Sequence, residues 1–364
     1  MSVCNPVKYS TIISVLLMGS AALSVQADVL LDKTSQLKLF GDVRYRYESD
    51  ERTGSTQTER THSQIRARLG ASFQPDNAWH GRLRLSTDAT SANSRDTTQS
   101  TTENDKNGNF GLDQAFITYA PGKVLNMYLG KMDFVFFQQN EVFWDKDINP
   151  EGVAMVTRFG DLSLSATQMT LLEGEWDKDI TAEAYQMVYA GSGISFAVGK
   201  AMIKRHKQFG RDTTGDNSAD VFGFRSDEYT LLSAMEKRGS WTFGLEYITS
   251  NAKSADTARI IQFQQRFGNY GFRVYKYTVE AFSVMGDGMF SQNNFPVEGN
   301  TGVSNFTGYH LQFDFYTGKN SSVDLSYYVM ERIHDPALLG ATASDAVMTL
   351  AEQERIQLSL HVQF

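Results

Sequence analysis

The chain carries one cysteine, Cys4, only six prolines, and beyond residue 27 no apolar run near the roughly 18 residues of a membrane-spanning helix. Mean hydropathy is −0.35, so a helical membrane protein is excluded. With Cys4 lost in export, a disulfide scaffold, thiol catalysis and cysteine-ligated metal are excluded as well. The formal charge of −8 argues against a nucleic-acid partner. The six histidines are scattered, with no HExxH pair, and no G-x-S-x-G, Walker or dinucleotide motif occurs. No enzymatic activity, cofactor or metal site is therefore expected. What the chain has in quantity is large rings: 24 Phe, 16 Tyr and 4 Trp, too many for a disordered chain.

The first segment reads as an address. Lys8 supplies a positive charge, Ile12 to Leu23 an apolar core, and Val25-Gln26-Ala27 a small-x-small cleavage site before Asp28. A signal peptide over 1–27, cleaved after Ala27, and a single domain over 28–364 are expected. Losing Lys8 makes the exported chain one unit more negative.

The remainder alternates with period two in segments of about ten residues, the signature of a membrane β-barrel. At one end Ile356, Leu358, Leu360, Val362 and Phe364 alternate with polar residues; at the other Leu37, Leu39, Val43, Tyr45 and Tyr47 do so. Sixteen candidate strands begin near residues 36, 62, 79, 111, 124, 153, 162, 182, 193, 225, 240, 259, 270, 306, 322 and 353. Connections alternate strictly between short and long. The short ones include Pro75 to Ala78, Gly160-Asp161 and Gly268-Asn269; the long ones include 49–61, 89–110, 134–152, 204–224 and 281–305. Past Pro6, every proline falls in a connection, as strand ladders require. A soluble β-sandwich also alternates, but does not keep every second connection so short. The expected fold is all-β: a transmembrane antiparallel barrel of about 16 strands, with short periplasmic turns and long extracellular loops.

The same period assigns charges to sides. If the apolar positions face lipid, Arg44, Arg46, Arg66, Arg68, Arg82, Arg84, Arg332 and Arg355 face the lumen. Each arginine turned to lipid at mid-membrane would cost about 2 to 4 kcal/mol. Six of them would match or exceed the roughly 5 to 15 kcal/mol that stabilises a typical domain. A basic wall is expected. Opposite it, residues 134–152 mix Phe134, Phe136, Phe137, Phe143 and Trp144 with Glu141, Asp145, Asp147 and Glu151. A solvated loop does not need such rings, so this third long loop is expected to fold inward onto the inner wall. Asp145, Asp147 and Asn149 have the i, i+2, i+4 spacing of a calcium loop, but Pro150 and Val156 stand where an EF-hand needs Gly and Glu.

Gly130-Lys131-Met132 and the run Trp144 to Val153 resemble the Gram-negative family named Putative porin, and terminal Phe364 resembles an outer-membrane insertion signal. The resemblance implies a water-filled outer-membrane barrel, a homotrimer set in lipid and lipopolysaccharide and inserted by the barrel assembly machinery. The Pro-Glu-Phe-Gly-Gly loop motif of general trimeric porins is missing. Two functions are expected: a passive diffusion channel with an acidic loop facing a basic wall, or a surface-binding barrel (ligand, phage or host adhesion) with a closed lumen.

Overall fold

Alternating side chains can satisfy water on one face and lipid on the other only if every backbone group is paired between strands, and a closed ring leaves no edge. The computed structural model describes residues 29–30, 37–54, 59–87, 97–99, 110–172, 180–204, 226–284, 304–339 and 350–364. The leader expected over 1–27 lies outside them, as do most of the loops 89–110, 204–224 and 281–305.

Sixteen strands close one antiparallel barrel. They are β1 (Leu37–Thr53), β2 (Glu59–Phe73), β3 (Trp79–Thr87), β4 (Phe110–Tyr119), β5 (Leu125–Lys131) and β6 (Glu151–Phe159). Next come β7 (Leu162–Leu172), β8 (Ile180–Ala190), β9 (Ile194–Lys204), β10 (Glu228–Arg238) and β11 (Trp241–Ser250). The ring ends with β12 (Thr257–Phe267), β13 (Tyr270–Val279), β14 (Phe306–Gly318), β15 (Ser321–Arg332) and β16 (Glu352–Gln363). Each pairs with its neighbours in sequence, and β16 pairs with β1 from Gln363↔Asp42 to Glu352↔Thr53. Among the described residues the only helical piece is a 3-10 turn, Pro336–Leu339.

Two details differ from the sequence reading. The loop expected over 49–61 shrinks to 54–58, because β1 and β2 run on for 17 and 15 residues, beyond the apolar alternation that marks the lipid belt. Polar pairs such as Glu48↔His62 and Asp50↔Arg60 continue that ladder. Thr97–Gln99 also forms a short strand against Ser63–Ile65 of β2, within a stretch expected to be pure loop.

The outward face carries an apolar belt, with Leu83, Leu129, Phe159, Phe196 and Tyr309 all about half exposed or more. A soluble monomer does not display so wide an apolar surface. The buried apolar core lies inside the ring instead. Phe136, Val142, Phe143, Trp144 and Ile148 of the β5–β6 connection cluster with inward residues of β7 to β15, among them Met169, Ile180, Tyr229, Ile248, Ile260 and Tyr277.

Candidate pore constriction

The connection between Lys131 and Glu151 leaves the wall and enters the lumen. Its neck is closed by Met132 N–H donating to Pro150 O at 3.0 Å and by the Lys131 ammonium donating to Asn149 O at 3.0 Å. Asn149 is fully buried: its amide donates to Asp113 Oδ1 at 2.7 Å and its Oδ1 accepts from Gln114 at 2.9 Å, both on β4. Inside the loop, Gln138 donates to Trp144 O at 2.7 Å and the Trp144 indole donates to Ile148 O at 3.1 Å.

One side of the loop seats on the wall of β8 to β12. Phe137 and Gln186 exchange two hydrogen bonds, of 2.7 and 2.9 Å. Gln139 reaches furthest: its amide donates to Ala234 O and Leu245 O at 2.9 and 3.1 Å, and its Oε1 accepts from Gln262 at 2.8 Å. Gly244 makes room for it, since a β-carbon there would collide with Gln139 Oε1.

The other side reaches β2. Asp147 accepts from Arg68 Nη1 at 2.8 Å and pairs with Arg66, and Arg68 Nε also donates to Asp42 at 2.7 Å. Burial opposes ionisation of Asp147, but Arg66, Arg68 and Arg44 outweigh it and hold the carboxyl well below the usual carboxylate range. Asp145, two residues earlier, is 1 % exposed, and its Oδ1 accepts from Asp147 N–H at 2.6 Å. Burial pushes its carboxyl well above the usual range, and the charges of Glu141 and Asp147 add to that. Two acids of equal sequence weight thus sit in unlike surroundings: Asp147 pairs with wall arginines, and Asp145 accepts from the loop backbone.

The remaining expected acids part company too. Glu141 pairs with Lys146 of its own loop, whose ammonium is held more basic than usual, mainly by that charge. Glu151 does not line the cavity beside the loop. It is the first ladder residue of β6 and shares the outward face of Val153 and Met155, because the side-chain period has already set in there. Asp145, Asp147 and Asn149, which share a calcium-like spacing, turn to different partners: the Asp147 N–H, Arg68 and Asp113.

The eight arginines form several groups rather than one wall. Arg66 and Arg68 meet the loop. Arg44 and Arg46 line the open lumen, with Arg46 donating to Ser359 at 3.3 Å. Arg82 lies 4.0 Å over the Phe40 ring and donates to Gln114 at 2.9 Å, while Arg84 pairs with Asp113. Arg355 is enclosed by Asp50 and, at 3.4 Å, Glu48. Arg332, the last residue of β15 at the long-loop end, lies opposite Phe306 and away from the cavity. Side was readable from period two; height was not, and carboxylates of the same parity neutralise part of the positive charge.

Between the loop and the wall of β12 to β16 and β1 a polar cavity of about 750 Å³ remains. Its barrel side holds features the sequence reading passed over. Arg273 and Asp314 form a bidentate pair at 3.0 Å twice, and His361 pairs with Asp324 at 2.7 Å. Tyr275, His310 and Tyr328 stack across adjacent strands with centroids 5.3 and 3.9 Å apart. The period that turned arginines inward also turns Asp42, Glu246, Asp314 and Asp324 inward, so the signal was present for them.

A closed sixteen-stranded barrel whose third long connection lies inside the lumen is the arrangement that decides the likeness. Its fold is the porin fold. The family model described as "Putative porin" matches residues 51–172. Among solved structures, the porin-fold barrel superposes on Salmonella typhi OmpF in complex with daunomycin with a TM-score of 0.58 at 14 % identity, covering 93 % of this chain and 100 % of that one. A triple mutant of Rhodopseudomonas blastica porin gives a TM-score of 0.53 at 12 % identity, covering 90 % and 100 %. No curated protein sequence matches this porin-like chain.

Proposed function

We propose that the barrel is an outer-membrane channel for passive diffusion of small hydrophilic solutes and ions, and that the loop and the inward arginines set its narrowest point. The supporting observation is the polar cavity of about 750 Å³ bounded by Arg44, Arg46, Arg273 and Asp314 on the wall and by Glu141, Lys146 and Asp147 on the loop. Charges of both signs on facing walls give a permeating ion a transverse field in a confined aqueous space. Chemistry is not part of this reading: Asp42, Asp314, Asp324, His310 and His361 are engaged in pairs or ring stacks rather than in a nucleophile–base array. The leader would be removed after Ala27, Phe364 would be read by the assembly machinery, and the barrel would stand in lipid and lipopolysaccharide as a homotrimer.

Planar-bilayer recording of the refolded chain tests this. Discrete open-channel steps are expected. A barrel that inserts but carries no current would overturn the channel reading in favour of a surface-binding barrel.

A further inference from the structure

The loop is anchored on two walls by unlike chemistry. At β2 a loop carboxylate, Asp147, meets two wall guanidinium groups. At β11 the relation is reversed: the wall carboxylate of Glu246, 6 % exposed, accepts from the Gln139 N–H at 3.4 Å and from the Asn140 side-chain amide. Its ladder neighbours are Ser233 of β10 and Ile260 of β12. The titratable groups nearby are Tyr277 of β13 and Glu141 of the loop, the latter paired with Lys146. Among the described residues no ion pair reaches Glu246.

We infer that Glu246 is the positioning residue of the constriction loop, an acid-releasable latch that holds Gln139 and Asn140 against β11 while its carboxylate is charged and frees the loop tip on acidification. Its bearing on permeation rests on the channel reading above. A buried carboxylate is tolerated only while donors satisfy it, and the donors here are neutral and come from the loop. Protonation turns an acceptor oxygen into a donor that faces donors, and the charge-assisted bonds, about twice as strong as neutral ones, are lost. The β2 anchor keeps its charges over the same range, so the loop swings about Asp147 instead of leaving the lumen.

Two measurements on the full barrel test this. In bilayers, open-channel current noise of the parent should rise several-fold between pH 8 and pH 4.5. Glu246→Gln should be noisy already at pH 8 and insensitive to pH, while Glu246→Asp should restore a pH response. Independently of current, Val142→Cys, a buried loop position in a chain otherwise free of thiols after Cys4 is removed, should react with a small neutral maleimide several-fold faster at pH 8 when Glu246→Gln is added. Flat noise in a conducting parent, together with equal labelling rates, overturns the latch and leaves the channel intact. Faster labelling in a barrel that never conducts supports the latch and overturns the channel.

Discussion

Gly41 and Phe364 exchange two backbone hydrogen bonds, each N–H reaching the other's carbonyl at 3.0 Å, and so join the last residue of the chain to the first strand. The Phe364 ring occupies the space beside Gly41, where a β-carbon would lie 2.5 Å from the ring and 2.5 Å from Arg68 O. Deleting Phe364 removes two bonds worth about 0.5 to 1.5 kcal/mol each and opens the seam. Gly41→Val should harm closure by displacing the same ring. Both variants should lower the fraction of heat-modifiable barrel on unboiled gels, and parental yields in both would refute the seam argument.

Asp145 and Asp147 should respond differently to the same change. Asparagine at 145 keeps an oxygen for the Asp147 N–H and removes a carboxyl whose ionisation burial opposes. Asp145→Asn should therefore leave reversal potential and fold yield near parental. Asp147→Asn leaves Arg66 and Arg68 without their loop counter-charge, so the zero-current potential in a salt gradient should move toward anions. Its loop anchor should weaken by up to about 3 to 5 kcal/mol, less where lumen water reaches the arginines. Equal shifts from both substitutions would show that Asp145 is charged and faces the pore. Arg66→Gln with Arg68→Gln should move the potential toward cations, most clearly at low salt.

The Asp147 anchor has a defined pH window. Its carboxyl is held below the value it has in an unfolded chain, so the stabilisation it brings is complete above the ordinary carboxylate range. It is lost only as pH falls through the depressed folded value. Thiol labelling of Ile148→Cys, close to the β2 anchor, should stay slow relative to an exposed control thiol well into the acid range. In the Asp147→Asn background that protection should be missing at every pH.

The strand ladder was readable because lipid outside and water inside impose strict alternation, and each strand begins within three residues of its expected start. Phe136, Phe143 and Trp144 betrayed the inward loop for a related reason: rings in a polar connection need a surface. Heights and partners were less legible. Glu151 looked like a loop acid because its neighbours are, yet two more residues of ladder turn it outward. Arg355 and Arg332 share the parity of Arg66 but lie nearer the long-loop end, and parity carries no height. Glu246 was missed because a lone acid in an apolar strand reads as solvent-facing until the loop that covers it is placed.

Gly244 offers the most local test of how the loop is seated. Its inner face receives the Gln139 carboxamide, which contacts β10, β11 and β12 together. Alanine needs no unusual backbone conformation there, since Gly244 is not among the positive-φ glycines. The added methyl group meets Gln139 and Gln262 instead. Overpacking of this kind costs about 1 to 3 kcal/mol when neighbours cannot yield. Here one neighbour is a loop tip, so the strain should be relieved by expelling Gln139 with the barrel still folded. Gly244→Ala should therefore keep parental heat-modifiability but raise open-channel noise, as Gln139→Ala should by losing the same bonds. Adding Gly244→Ala to Gln139→Ala should then change the noise little, because the loop's clash partner is gone and only Gln262 of the wall is left to shift. Full additivity of the two changes would mean that the notch and the side chain act separately and that the loop is seated by something else.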